Sequence, residues 1–536
     1  MKYWKIFLVL ILLLAVFLRL YKITSVPPSL YWEEAALGYD AYSIMQTGKD
    51  YHGNTLPILA FPSFGDYKPS GYFYAIVPFM RVFGLSELAV RLPSVFAGIA
   101  TVFVIYAIGS TLYNKKIGIF AALFYAVQPW SIQLSRVGFE TNLATFLLAM
   151  GVLLSIKAEK KTWLYAVSAL FFGLSAYTYH SERIVAPLFG LVIGTRFLFS
   201  YIRSPKKGKP SLSWAVCALF IGIAMLFPIL INLKNPIIAH RAEETSIFSD
   251  PAPVLESNAL RAEDGNTVVS RVLHHRYVLF GELMFQQYVK NFSPTFLFLT
   301  GDENNRHGTH EFGLLYHVEF FLVAAGLYIV CVRRTFRHML PVMWIAFSAL
   351  PVALTVTSPH TLRFASAAPA FALLSALGIV FLSEVFWKIW RKKLILGILA
   401  ILCIESVVYL HFYFTHYPVL SATDWQYGYK DLFSSLEQLK KPNQKVFVTR
   451  EQGRPSIYYM FYTKQDPRYV QSQDAVVKKD QQEFLELGRY VFVDNIPPEK
   501  GTLVASSPSK MPKNVQPIRT ILNPDGTISW VIWEQQ

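Results

Sequence analysis

Residues 88–116 read LAVRLPSVFAGIATVFVIYAIGSTLYNKK. The stretch is apolar almost throughout from Leu88 to Leu112 and then closes on Lys115 and Lys116. About 20 such residues match the ~30 Å hydrocarbon core of a bilayer, and lysines just past the end mark a cytoplasmic boundary. Working outward with the same window gives ten more runs, at 6–20, 117–132, 143–156, 163–179, 184–199, 214–231, 314–332, 339–356, 364–385 and 394–413. The expected fold is therefore a polytopic α-helical membrane protein with about eleven transmembrane helices, because lipid offers backbone N–H and C=O groups no other partner.

The loops set an expected orientation. Basic clusters stand at Lys2/Lys5, Lys115/Lys116, Lys157/Lys160/Lys161, Arg203/Lys206/Lys207/Lys209, Arg333/Arg334/Arg337 and Lys388/Arg391/Lys392/Lys393. With eleven spans, all six fall on one side, which the positive-inside rule makes cytoplasmic. The N-terminus is then cytoplasmic in a multi-pass protein of the cell membrane. Loops 22–87 and 232–313 lie outside, as does the tail. The first run follows Lys2 and Lys5 as in a signal peptide, but Arg19, Tyr21 and Lys22 close it without a small-residue cleavage site, so it reads as a retained span.

Composition agrees. Of 536 residues 53% are hydrophobic and only 16% charged, against about 25% in soluble domains. The net charge of +15 sits in short clusters between apolar runs, not interleaved with aromatics along a soluble face, so no nucleic-acid partner is expected. Cys217, Cys331 and Cys403 each lie in an apolar run at no metal-site spacing and read as small buried hydrophobes.

Two domains are expected: a transmembrane domain over 1–413 and an extracytoplasmic α/β domain over 414–536. In the first loop, 33–46 reads as an amphipathic helix stopped by Gly48. The apolar segment 71–84, with Tyr72, Phe73 and Tyr74, is short enough to be interfacial or re-entrant. The tail shows strand-like runs at 445–450 and 490–494 and helix-like runs at 425–439 and 455–462. It ends in a hairpin of 518–522 and 528–533 around Asn523-Pro524-Asp525-Gly526.

Candidate chemistry collects in the outer pieces. Glu33 and Glu34 lie about a dozen residues beyond the first span; they read either as helix-start acids or as a general base at the membrane surface. Asp66, Tyr67 and Lys68 precede the short apolar segment. Arg91, Arg136, Arg183 and Arg363, with His180 and His360, sit at outer span ends. Singly each is an interfacial anchor; with Lys68 the arginines make a cationic collar suited to a lipid phosphate. Glu319 and Glu405 fall within spans and are candidates on that ground. The histidines and acids of the second loop (His274, His275, Asp302, Glu303, His307, His310, Glu311, His317) match no strong metal motif, and no metal or other cofactor is expected.

The run Trp32-Glu33-Glu34-Ala35, followed by Gly38-Tyr39, Gly65-Asp66-Tyr67-Lys68-Pro69 and Arg91-Leu92-Pro93-Ser94, resembles the first loop and second span of ArnT-like and protein O-mannosyltransferase-like enzymes, glycosyltransferases of the GT-C fold class. Tyr177-Thr178-Tyr179-His180-Ser181-Glu182-Arg183, Arg306-His307-Gly308 and His360-Thr361-Leu362-Arg363 look like pieces of bacterial members. The resemblance covers roughly the first 385 residues. It implies a polyprenyl-phosphate-linked sugar as donor and inverting transfer to a hydroxyl of an envelope glycan, lipid or protein. It also implies a first-loop acid as base, and Lys68 on the donor phosphate. The family's base is usually Asp where this chain has Glu33, which leaves Glu33 or Glu34 for the role. A transporter or flippase of lipid-linked sugars is the alternative, but no inverted repeat is visible in the sequence.

Overall fold

The computed structural model describes all residues except 1, 206–209, 236–243, 386–387, 475–478 and 536. Lys206, Lys207 and Lys209 of the fourth basic cluster lie outside the described residues. Each of the eleven apolar runs contains a helix. Among the described residues, eight helices are long and apolar enough to cross a membrane, or nine if Lys115–Val127 and Pro129–Ser135, bent by 60°, count as one. The bend falls at Pro129, which lacks an N–H and pushes Gln128 out of the helical region to ψ 129°. With that bent pair taken as one span, Leu164–Ala176, at 13 residues, and His317–Arg333, at 17, are the two shortest of the eleven.

The chain divides into two compact units. The first comprises Met1–Arg19, Ala97–Ser135 and Phe139–Tyr409 and holds most of the span helices. Its apolar surface is the kind water does not tolerate. The helix Leu212–Ile231 leaves Leu219, Phe220 and Ile223 more than half exposed. A helix apolar on every side belongs in lipid. Arg19 is fully buried and donates to Ser135 Oγ at 3.2 Å, Ser131 Oγ at 3.0 Å and the Ala126 carbonyl at 3.1 Å.

The second unit comprises Leu20–Phe96, Arg136–Gly138 and Leu410–Gln536. The sequence boundary at 413/414 separates loop from tail, whereas here the first loop clusters with the tail. Strands β1 (Ala60–Ser63) and β2 (Asp66–Pro69) form an antiparallel hairpin. In the tail, β3 (Val446–Thr449), β4 (Glu486–Leu487), β5 (Tyr490–Val493), β6 (Leu503–Ser506), β7 (Arg519–Leu522) and β8 (Ile528–Glu534) make one mixed sheet in the order β4-β5-β3-β6-β8-β7. The three central strands β5, β3 and β6 run parallel, and β7 and β8 are the hairpin legible at the C-terminus. Phe447, Val504, Val531 and Trp533 pack a core on this sheet.

The helix Trp32–Thr47 is not amphipathic as expected. It buries every residue from Glu34 to Ala41, because the helices Gly71–Phe83, Pro455–Tyr462 and Pro467–Gln473 all contact it. Gln471 Nε2 ties it further, donating to Thr47 Oγ1 at 2.8 Å and the Asp50 carbonyl at 3.0 Å. Within the segment 71–84, Gly71–Phe83 is a helix of 13 residues, about 20 Å long at 1.5 Å per residue.

Candidate active site

Glu33 occupies the first turn of Trp32–Thr47. Its Oε2 lies 2.7 Å from Lys68 Nζ and accepts from the Tyr31 hydroxyl at 3.0 Å. Lys68 is presented by β2. The β1–β2 turn is Phe64-Gly65, both at positive φ (51° and 83°), the pattern of a type I′ hairpin whose twist matches the strands. Asp66 and Tyr67 open β2, half-buried, with Asp66 Oδ1 accepting the Tyr67 N–H at 2.7 Å. The hairpin tip is docked on the tail: the Gly65 N–H donates to Gln482 Oε1 at 3.2 Å, and the Arg454 guanidinium lies 5.5 Å from the Phe64 ring centre.

Glu34, one residue on, is sealed. Its carboxylate accepts Arg91 Nε at 3.0 Å and Nη2 at 3.2 Å, and the Gly138 N–H at 2.8 Å. A Cβ at residue 138 would stand 3.3 Å from Glu34 Oε1 and 3.2 Å from Val90, so only glycine lets that N–H approach without displacing a neighbour.

Arg91 corrects the phosphate-contact expectation. Besides its two bonds to Glu34, Nη1 donates to the carbonyls of Ile23 (2.8 Å) and Pro27 (3.1 Å), and Nη2 to that of Ser29 (2.5 Å). All five guanidinium N–H donors are thereby engaged inside the protein, and none remains for a lipid phosphate. Arg136 is likewise fully buried. Its Nη2 donates at 2.7 Å to the carbonyls of both Tyr21 and Val26, and its guanidinium stacks 4.9 Å from the Phe414 ring centre. These two arginines fasten the chain that leads from the first span to Glu33.

The other predicted residues belong to the first unit. Arg363 Nη1 donates to Thr355 Oγ1 at 2.7 Å. Arg183, half-buried, donates Nε to the Ala176 carbonyl at 3.4 Å, and His180 lies edge-on to Tyr179. His360 stacks against His307 with ring centres 5.0 Å apart. Beside them Asp302 Oδ2 accepts the Thr361 N–H at 2.8 Å and meets His307 Nδ1 at 3.3 Å, while Oδ1 accepts the Asn304 N–H at 2.9 Å. Burial opposes the Asp302 charge, but the His307 hydrogen bond, the nearby imidazoles and the Thr361 N–H outweigh it and hold this carboxyl below the usual carboxylate range. Ligand atoms of Asp302, His307 and His360 lie within 4.8 Å of one another, a group that can hold a metal ion and that the expectation of no metal passed over. His360 is the member it missed, 53 residues beyond His307. Glu319 is also explained: its carboxylate accepts from Ser375 Oγ at 2.9 Å and from the Tyr316 N–H at 3.3 Å, capping its own helix.

Residues 67–231 match the family model described as dolichyl-phosphate-mannose-protein mannosyltransferase. A putative mannosyltransferase of Bacillus subtilis, YycA, is 25% identical over 175 residues, which is 30% of this chain and 23% of that protein, so the chain matches about a quarter of that relative's length. Among solved structures, ArnT from Cupriavidus metallidurans superposes with a TM-score of 0.55 at 11% identity, over 100% of this chain and 98% of that one, both bound to undecaprenyl phosphate and in the apo state. Along its length the chain is thus similar in fold to the Cupriavidus ArnT, and over residues 67–231 it is similar in sequence to the mannosyltransferase family.

Proposed function

We propose that this protein transfers a sugar from a polyprenyl-phosphate donor to a hydroxyl acceptor at the outer face of the cell membrane, with inversion at the anomeric carbon. The observation that carries the reading is the Glu33–Lys68 pair: a carboxylate a third exposed, held 2.7 Å from an ammonium group. Glu33 accepts the proton of the acceptor hydroxyl as that oxygen attacks the anomeric carbon. The bond from that carbon to the phosphate oxygen breaks, and the prenyl phosphate leaves with its electron pair. Lys68 stabilises the charge gathering on the leaving phosphate. Glu34 and Arg91 hold the turn that aims Glu33, and positioning of this kind governs rate steeply.

The Cupriavidus ArnT bound to undecaprenyl phosphate supports a prenyl phosphate as the ligand class. The matched family and the Bacillus relative both name mannose, which makes mannose the first sugar to test. The acceptor is an envelope glycan, lipid or protein hydroxyl, and the N-terminus is cytoplasmic with the tail outside. The test is transfer from labelled polyprenyl-phosphate mannose in reconstituted vesicles supplied with an envelope extract. Wild-type protein transfers label and Lys68→Met does not. Movement of the donor between leaflets without transfer would replace this reading with a flippase.

A further inference from the structure

The second unit contains a cleft of about 810 Å³, inside the ~300–1,000 Å³ range of ligand pockets. One wall is the polar face of the helix Tyr429–Leu439, where Lys430, Asp431, Ser434 and Gln438 stand at helical spacing with Phe433 at their base, while Leu432 and Leu436 are buried on the tail. The opposite side is Thr24 with Leu85–Leu88, and the end is closed by residues 461–464.

Its polar groups are of two kinds. Some are fixed: the Glu87 carboxylate accepts the Tyr462 hydroxyl at 3.2 Å and Lys430 Nζ at 3.3 Å, and Glu437 accepts the Tyr490 hydroxyl at 2.7 Å. Others face the space with no protein partner among the described residues: the Asp431 carboxylate, the Ser434 hydroxyl and the Lys464 ammonium. Three carboxylates against two ammonium groups argue against a phosphate ligand. Mixed acceptors, hydroxyls and donors at near-balanced charge suit an uncharged, hydroxyl-rich molecule, whose many O–H groups need both partners.

The cleft is also coupled to Glu33. The helix Pro455–Tyr462 carries Phe461 and Tyr462 into the cleft, while its Tyr458 hydroxyl donates to the Leu30 carbonyl at 3.1 Å, three residues before Glu33.

We infer that this cleft binds the carbohydrate portion of the acceptor, holding a glycan segment while its terminal hydroxyl is glycosylated. This rests on the transfer reading above and narrows its acceptor to a glycan. The test uses the purified full-length chain in a non-glycosidic detergent and saturation-transfer NMR, with mannotriose, chitotriose and a Ser/Thr-containing peptide as separate probes. At least one trisaccharide receives saturation, and the signal falls at least tenfold in Asp431→Lys and in Ser434→Trp while Glu33→Gln keeps it. Asp431 is exposed on a helix surface, so its variant stays informative if Ser434→Trp fails to fold. No saturation of either sugar, a sugar signal unchanged in folded cleft variants, or saturation of the peptide alone would overturn the assignment. Should Glu33→Gln transfer sugar at the wild-type rate, the catalytic reading falls while the NMR result still decides the cleft.

Discussion

Lys68 and Arg91 each meet a glutamate from the same helical turn, at different depths. The Lys68–Glu33 contact of 2.7 Å leaves the carboxylate 33% exposed, whereas the Arg91–Glu34 pair is 1% and 0% exposed and bonded on every side. A buried pair has lost its water, and its remaining partners are backbone groups that hold it in one geometry. A partly exposed carboxylate still meets solvent and can exchange partners with a ligand. Sequence neighbours are thus held differently, because the helix turns Glu34 into the protein and leaves Glu33 at its edge, and the proposed reaction gives Glu33 the chemistry and Glu34 the scaffold.

The comparison breaks most visibly at Arg91. Arg91→Met leaves Glu34 buried without its cation and should cost about 3–5 kcal/mol. Thermal unfolding of the purified chain would show a large drop, and a wild-type melting temperature would mean the pair is not scaffold. Gly138→Ala pushes a methyl against Glu34 and Val90, for about 1–3 kcal/mol of overpacking, read in the same melts.

Tyr31→Phe removes one hydrogen bond from Glu33, worth about 0.5–1.5 kcal/mol. It should slow transfer by roughly tenfold or less and leave the melting temperature near wild type. The smallest effect lies at the loop–tail tie, where His52 Nδ1 is 2.7 Å from Asp474 Oδ1. Burial opposes the Asp474 charge, but the His52 and Lys479 contacts prevail and depress its pKa. A depressed carboxyl stabilises the fold above its unfolded pKa and loses that contribution as pH falls through the folded value. Asp474→Asn should therefore melt slightly below wild type at pH 7, with the gap closing below about pH 4.

Much of this was legible in the sequence. Each of the eleven apolar runs contains a helix, since a backbone in lipid has no alternative. The C-terminal hairpin followed from Asp525-Gly526, and the candidate pair Glu33 and Lys68 from motif resemblance. What the sequence hid was partnership over distance. A cation at a span end looks the same whether it awaits a phosphate or donates inward, and the carbonyls that occupy Arg91 come from Ile23, Pro27 and Ser29, more than 60 residues earlier. The central strand Leu503–Ser506 escaped notice because four buried residues between turns carry no alternating pattern. Asp302 and His360 are 58 residues apart, and no spacing rule joins them.

The division of labour between the two glutamates is tested most directly by kinetics of Glu33→Gln beside Glu34→Gln, each normalised to folded protein. The account predicts that Glu33→Gln lowers kcat about 10²–10⁴-fold, with donor KM and melting temperature near wild type, while Glu34→Gln loses stability first. A wild-type kcat in Glu33→Gln, or a stable, folded and inactive Glu34→Gln, would contradict it.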